Sequence, residues 1–182
     1  AGAAPAAAAL LRRAPRAGLV TGALAAGRIP RRPVHNDTKL DNLLFARGAA
    51  RVLCVLDLDT VMPGALPHDF GDLVRATVSP TPAEEGAETV AFSPERFAAV
   101  AAGFLEGVGG QLQPAEWRLL PGAPGILALE LAARFLTDHL EGDPYFGAPE
   151  PGANLRRALR QLALLEALES AEDEMAAILE RT

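Results

Sequence analysis

His35-Asn36-Asp37-Thr38-Lys39-Leu40-Asp41-Asn42, followed by Val52-Leu53-Cys54-Val55-Leu56-Asp57-Leu58-Asp59, is the stretch from which the rest of this chain can be read. The first segment has the form H-x-D-x-x-x-x-N. At that spacing an Asp can meet a substrate hydroxyl while an Asn five residues on holds a metal ion. The second segment predicts a buried apolar strand that delivers a carboxylate, Asp57, twenty residues after Asp37.

A phosphoryl group in transfer carries charge on its oxygens and needs alignment and neutralisation more than covalent help. In that chemistry Asp37 accepts a hydrogen bond, and eventually a proton, from the attacking hydroxyl. Asn42 offers its amide oxygen to Mg²⁺, and Asp57 binds the same or a second Mg²⁺ as a hard oxygen ligand. Lys39, from the same loop, neutralises the transferring phosphate. His35 orders the loop through hydrogen bonds. The H-x-D-x-x-x-x-N pattern alone arises by chance in roughly one chain of this length per hundred. An apolar strand ending in Asp at the right distance makes chance a poor account. The two segments read as the catalytic half of a phosphotransferase of kinase-like design.

Asp69-Phe70-Gly71 also spells a magnesium-binding triplet of protein kinases. It lies thirty-two residues after Asp37, in a stretch read as loop behind Pro67, whereas Asp57 has the strand context. Asp69 is therefore assigned to ordering, bonding backbone amides near the catalytic loop. Strand alternation puts Asp59 on the face of Asp57, as a second metal ligand, a substrate contact or a solvent-facing acid.

The chain has 182 residues, about half of them apolar, enough for one domain with a core. Its net charge is −6, with no basic stripe interleaved with aromatics, which argues against a nucleic-acid partner. The single cysteine, Cys54, excludes an internal disulfide; between Leu53 and Val55 it is expected to pack as a small hydrophobe, and a cytoplasmic setting fits. No apolar run reaches membrane-spanning length; Glu130 splits the one from Ile126 to Ala133. The alanine-rich start, followed rather than preceded by Arg12, Arg13 and Arg16, reads as a truncated helical segment. Lys39 is the only lysine beside sixteen arginines. The usual triphosphate-gripping devices need a lysine elsewhere, so this chain is not expected to hold ATP in the ordinary way by itself.

Along the chain, residues 6–27 predict a helix made irregular by Pro15 and Gly18. Residues 29–34, with Pro30 and Pro33, predict an extended lead-in to His35. Leu43 to Phe45 and Arg51 to Leu56 predict two short strands around a turn at Arg47-Gly48. Residues 61–92 read mostly as loop, punctuated by Pro63-Gly64, Pro67, Pro80 and Pro82, with a short helix over 69–77. Ser93-Pro94-Glu95 opens a helix to about Gly107. Others are expected from near Pro114 and over 124–140. A final one is capped by Asn154, with Leu155, Leu159, Leu162, Leu165 and Leu168 on its buried stripe. One helical domain with a small β-ribbon is the simplest architecture.

The catalytic block, together with Asp57-Leu58-Asp59-Thr60-Val61-Met62-Pro63-Gly64 and Asp69-Phe70-Gly71-Asp72, resembles the aminoglycoside phosphotransferase (APH) family. Within it the chain looks closest to the N-acetylhexosamine 1-kinases, to which residues 134–146, Arg-Phe-Leu-Thr-Asp-His-Leu-Glu-Gly-Asp-Pro-Tyr-Phe, are also similar. The resemblance runs from about Pro30 to the C-terminus. It implies an α+β, protein-kinase-like fold: a mainly helical C-terminal lobe with a small β-ribbon. It also implies Asp37 as catalytic base, Asn42 and Asp57 as magnesium ligands that hold the nucleotide, and phosphorylation of an anomeric N-acetylhexosamine hydroxyl from ATP. Arg134 and Tyr145 match positions that resemble sugar contacts. Family members carry an N-terminal nucleotide-covering lobe, for which the thirty-four residues before His35 are too few. Residues 1–182 are accordingly expected to be the C-terminal lobe, with 1–28 a truncated leading helix, the missing lobe coming from a longer product or another chain. Two alternatives stand beside this: a non-catalytic lobe that binds a sugar or partner, and a kinase for another hydroxyl, such as choline, homoserine or an aminoglycoside.

Overall fold

Helix α6, Ala123–Leu140, is the element on which the others converge. Helix α3 (Leu66–Thr77), helix α7 (Ala153–Ser170) and helix α1 (Ala3–Ala17) pack against it. The computed structural model describes residues 2–79 and 90–182 of the chain. Pro80 and Pro82 lie outside the described residues. The small residues of α6, Ala128 and Ala132, are fully buried and let the neighbouring helices approach. Gly71 of α3 makes the closest approach: a Cβ there would stand 2.7 Å from the Ala123 carbonyl oxygen. The core joins Phe70 and Val74 of α3 to Leu129 and Phe135 of α6, Leu165 and Leu168 of α7, and Phe97 of helix α4 (Pro94–Val108).

The helix ends follow local rules. Ser93 Oγ accepts the Arg96 amide at 3.3 Å, Pro94 occupies the first turn of α4, and Gly109 closes it in the left-handed region. The predicted leading helix divides at Gly18 into α1 and helix α2, Leu19–Ala25, with Pro15 retained inside α1. Arg13 joins Glu169 at 2.9 Å, and Arg16 pairs with Glu172, which ties α1 to the C-terminal helices.

Several sequence expectations are corrected. Pro67 does not mark loop: it sits in the first turn of α3, which starts at Leu66, where a proline forfeits no intrahelical hydrogen bond. Asn154 does not cap α7; Gly152, at φ 79°, occupies that place and Asn154 lies buried in the first turn. Leu159 is exposed, and Leu164 takes a buried position instead. Nor is α7 final. After Ala171, helix α8 spans Glu172–Arg181, its first turn carrying Glu172, Asp173 and Glu174 where the helix dipole favours acids. Helix α5, Pro114–Trp117, is one turn with a Gln113–Glu116 capping box.

There are two antiparallel ribbons among the described residues, not one. Strand β1 (Arg32–Val34) pairs with β4 (Met62–Gly64), and β2 (Leu43–Phe45) with β3 (Val52–Val55). Strand β3 is exposed throughout, so the expected buried strand is not found, and Cys54 is exposed rather than packed. A short apolar run specifies a strand; whether it is buried depends on what lies across it. The result is a mostly helical α+β chain. Among the described residues no helix is long and apolar enough to cross a membrane.

Candidate active site

The loop over residues 35–42 leaves β1 and is docked on the start of α3. Arg32 of β1 forms a two-pronged ion pair with the fully buried Glu116, at 2.8 Å from each guanidinium nitrogen used. Burial pushes the Glu116 carboxyl up, but hydrogen bonds from Arg32 and the Gln113 amide more than offset it, leaving its pKa below the ordinary value. Beyond this entry, Asp69 receives two successive backbone amides, His35 N on Oδ2 at 2.7 Å and Asn36 N on Oδ1 at 2.8 Å. One turn later on α3, Asp72 Oδ2 receives Thr38 N at 2.8 Å, while its other oxygen takes Arg75 Nε at 2.9 Å. Thr38 Oγ1 adds a bond to the Asp69 carbonyl at 2.7 Å. Charged acceptors on backbone amides are the stronger class of hydrogen bond, and here three such bonds hold His35, Asn36 and Thr38.

Asp37 lies between these clamped amides. Its Oδ2 accepts Lys39 Nζ and Asn42 Nδ2, each at 2.8 Å. Burial raises the Asp37 pKa, and the bonds from Lys39 and Asn42 more than reverse that, so the carboxylate stays ionised below its usual range. The Lys39 ammonium is correspondingly stabilised by Asp37, with a pKa above its ordinary value. Asn42 is buried and donates also to the Asp37 carbonyl at 2.8 Å. With its amide nitrogen turned to Asp37, its amide oxygen is the group left for another partner.

Leu56 connects this loop to Asp57. Its N–H donates to Asn42 O at 2.8 Å, and its carbonyl lies 3.2 Å from His35 Nε2, which selects the Nε2–H tautomer. Asp57 follows at φ 58°, ψ 57°, in the left-handed region that Asp and Asn enter more readily than other side chains. Asn36, at φ 62°, is a second such residue, and its Nδ2 donates to Thr60 O at 3.0 Å. Thr60 Oγ1 returns a bond to His35 O at 2.6 Å. The two segments are thus laced together.

Strand alternation does not place Asp59. Asp57 lies past the end of β3, and Asp59 sits in a 3₁₀ turn over Leu58–Thr60. The two carboxyls still meet. A hydrogen bond with Asp59, reinforced by its charge, pushes Asp57 up, Asp37 adds to this and Lys39 opposes it; Asp59 is lowered.

A cavity of about 790 Å³ opens beside the loop. Asp37 and Lys39 line it, and so do Arg134 and Tyr145 from the far end of α6 and the loop after it. Arg134 stacks over Tyr145 and Phe146, 5.6 and 5.3 Å from their ring centres, and its Nη2 lies 3.5 Å from the Tyr145 hydroxyl. Asp57 and Asp59 do not line this cavity, and His35 and Asp69 stand behind its wall. Polar lining residues to which the sequence reading gave no site role include Thr60, His68, Asp72, Arg75 and Glu130. Burial keeps His68 below its ordinary pKa against the pull of Glu130 and Asp69. The i, i+3 spacing of Asp69 and Asp72 on one helix face was the signal available for Asp72. Nothing local marked Glu130, which also reads as a surface acid paired with Arg134.

Among the described residues no group of three or more His, Cys, Asp or Glu side chains is placed to hold a metal ion. Asn42, Asp57 and Asp59 carry oxygen donors of the hard kind that divalent cations take.

The model of the phosphotransferase enzyme family (APH) matches residues 2–100, more than half of the chain. The chain belongs to the phosphotransferase enzyme family. Membership makes kinase-type phosphotransfer its functional class. The match covers the catalytic loop, Asp57 and Asp59, and both α3 carboxylates, whereas Arg134 and Tyr145 lie beyond it.

Proposed function

We propose that this chain is the C-terminal lobe of an ATP-dependent small-molecule kinase that phosphorylates the anomeric hydroxyl of an N-acetylhexosamine. The observation that carries the reading is Asp37. Its carboxylate is held ionised by Lys39 and Asn42 and lies on the wall of a cavity sized for a small ligand. Orientation matters more than basicity where the phosphoryl transition state is loose, so a low pKa suits the role of aligning the acceptor hydroxyl. Asn42 and Asp57 would hold Mg²⁺, with Asp59 beside them, and the ion when bound neutralises phosphate charge. Lys39 stays close enough to Asp37 to balance it and to meet a developing negative charge. Arg134 and Tyr145 form the opposite wall, an aromatic and guanidinium surface fitted to a sugar ring. An ATP donor fits a cytoplasmic setting, and the nucleotide-covering lobe would be supplied by a longer product or a second chain.

The charges of the cavity support a neutral acceptor over a polycation. Its carboxylates, Asp37, Asp41, Asp72 and Glu130, are nearly balanced by Lys39, Arg75 and Arg134. Choline or an aminoglycoside would favour an acidic excess. An ADP-coupled assay with MgATP and a panel of N-acetylhexosamines, choline, homoserine and aminoglycosides tests this. It is run on the chain alone and on the chain preceded by a nucleotide-binding lobe. Turnover of a hexosamine that disappears in Asp37→Ala is the expected result; no turnover of any acceptor with the lobe restored would end the kinase reading. The alternative of binding without transfer draws on Lys39, the only lysine, being already engaged by Asp37. Tight MgATP binding by the chain alone, seen by calorimetry, counts against that alternative.

A further inference from the structure

Between α6 and α7 lies a buried polar network that the catalytic chemistry does not use. Asp138, 3% exposed, points from α6 into the helix interface and accepts three N–H bonds there. They come from the Tyr145 amide at 2.8 Å, the Phe146 amide at 3.0 Å and Asn154 Nδ2 at 2.9 Å. Asn154, fully buried, also donates to Asp143 Oδ1 at 2.8 Å and to the Gly147 carbonyl at 3.0 Å. Its own amide oxygen receives Arg157 Nη1 at 2.7 Å. Four of these contacts reach the same short loop, at Asp143, Tyr145, Phe146 and Gly147. That loop leaves α6 through Gly142 and Asp143, both in the left-handed region, and the Asp143 amide returns to the Asp138 carbonyl at 2.7 Å.

Mere packing does not call for this arrangement. A buried carboxylate and a buried amide are costly unless every partner is in place, and an apolar pair would join two helices more cheaply. What the network does is hold the backbone of Tyr145 and Phe146 from below, leaving their side chains to the cavity. The Phe146 ring packs on Phe135 at 4.6 Å, Tyr145 stands edge-on to Phe146 at 4.8 Å, and Arg134 lies over both. Tyr145 itself is 74% exposed, so apart from Arg134 its support comes from the loop beneath it.

We propose that Asp138 and Asn154 are positioning residues that set the aromatic wall of the acceptor pocket, and through it acceptor affinity. This rests on the reading of the cavity as the acceptor site. Neither residue touches the acceptor. They act through two backbone amides, one turn of chain away from the contact.

The chain contains one tyrosine, so fluorotyrosine incorporation places a single ¹⁹F reporter at residue 145. In the full chain the wild type is expected to give one resonance that shifts on titration with N-acetylglucosamine. In Asn154→Ala the resonance should move toward that of free fluorotyrosine and the apparent Kd for the sugar should rise about tenfold or more, since misplacement of a supporting contact is felt strongly at a site. Asp143→Gly removes one acceptor of Asn154 while suiting the backbone at φ 63°. It should shift the resonance less, in the same direction, and it keeps the test open should Asn154→Ala fail to fold. A resonance unmoved by a folded Asn154→Ala and by Asp143→Gly overturns the inference. A resonance that moves in the variants but ignores every hexosamine upholds the positioning of the loop and overturns the acceptor reading and the affinity claim built on it.

Discussion

The loop that carries Asp37 and the ribbon that leads to Asp57 are both short, and each presents an acid to the same neighbourhood, yet they are held in opposite ways. The loop is clamped by Asp69 and Asp72, residues of a helix whose own apolar side is buried in the core: Phe70 and Val74 are fully covered. The β2–β3 ribbon has no such backing. Val52, Leu53, Val55 and Leu56 are each exposed to between 42% and 51%. Its links to the loop are two hydrogen bonds through Leu56 and two through Thr60, none of them to a charged acceptor. The Asp37 side of the site is thus pre-organised by the core, whereas the acid pair Asp57 and Asp59 rests on a lightly supported strand end.

If that contrast is right, substitutions on the loop side should be costly and those on the ribbon side mild. The largest effect is expected at the reacting group: Asp37→Asn should lower the turnover of a lobe-completed enzyme by about 10²–10⁴-fold, read in the ADP-coupled assay, with the fold intact by circular dichroism. Next comes the clamp. Asp69→Ala leaves the His35 and Asn36 amides without their acceptor and should destabilise the chain by about 3 kcal/mol in a urea melt. Gly71→Ala forces α3 off α6, with a loss of about 2 kcal/mol by the same measurement.

Acid should act on the loop side too. Asp37 and Glu116 both ionise at a lower pH in the folded chain than in the unfolded one. Between those lowered values and the usual carboxylate pKa near about 4, the unfolded chain binds more protons. Stability is therefore fully present above that window and falls as the pH drops through it. Asp37→Asn removes one share, so its Tm deficit against wild type should be present at neutral pH and close as the pH falls below about 4. The smallest effect belongs to the ribbon: Leu53→Ser should change stability by less than about 0.5 kcal/mol, and a larger loss would show that the ribbon is better supported than its exposure implies.

Much of the loop side was legible in the letters because its determinants are local. Asp37, Lys39 and Asn42 fall within six residues, and their mutual bonds need only the loop's own turn. The β2–β3 hairpin and the Ser93-Pro94 helix start follow from turn and capping chemistry in the same way. Pro67 misled because the same residue that breaks a helix interior is welcome in a first turn. Asn154 misled because a capping side chain and a buried donor are the same amide, told apart by whether Asp138 lies opposite.

From the sequence alone came the H-x-D-x-x-x-x-N block, the family to which it belongs and the helices and hairpin that carry it, since spacing, caps and turn residues act over a few positions. The exposure of β3 and Cys54, the second clamp through Asp72 and the network beneath Tyr145 were decided by the tertiary structure. Each depends on which distant surface arrives opposite a side chain, and burial and electrostatics are properties of that meeting rather than of either segment.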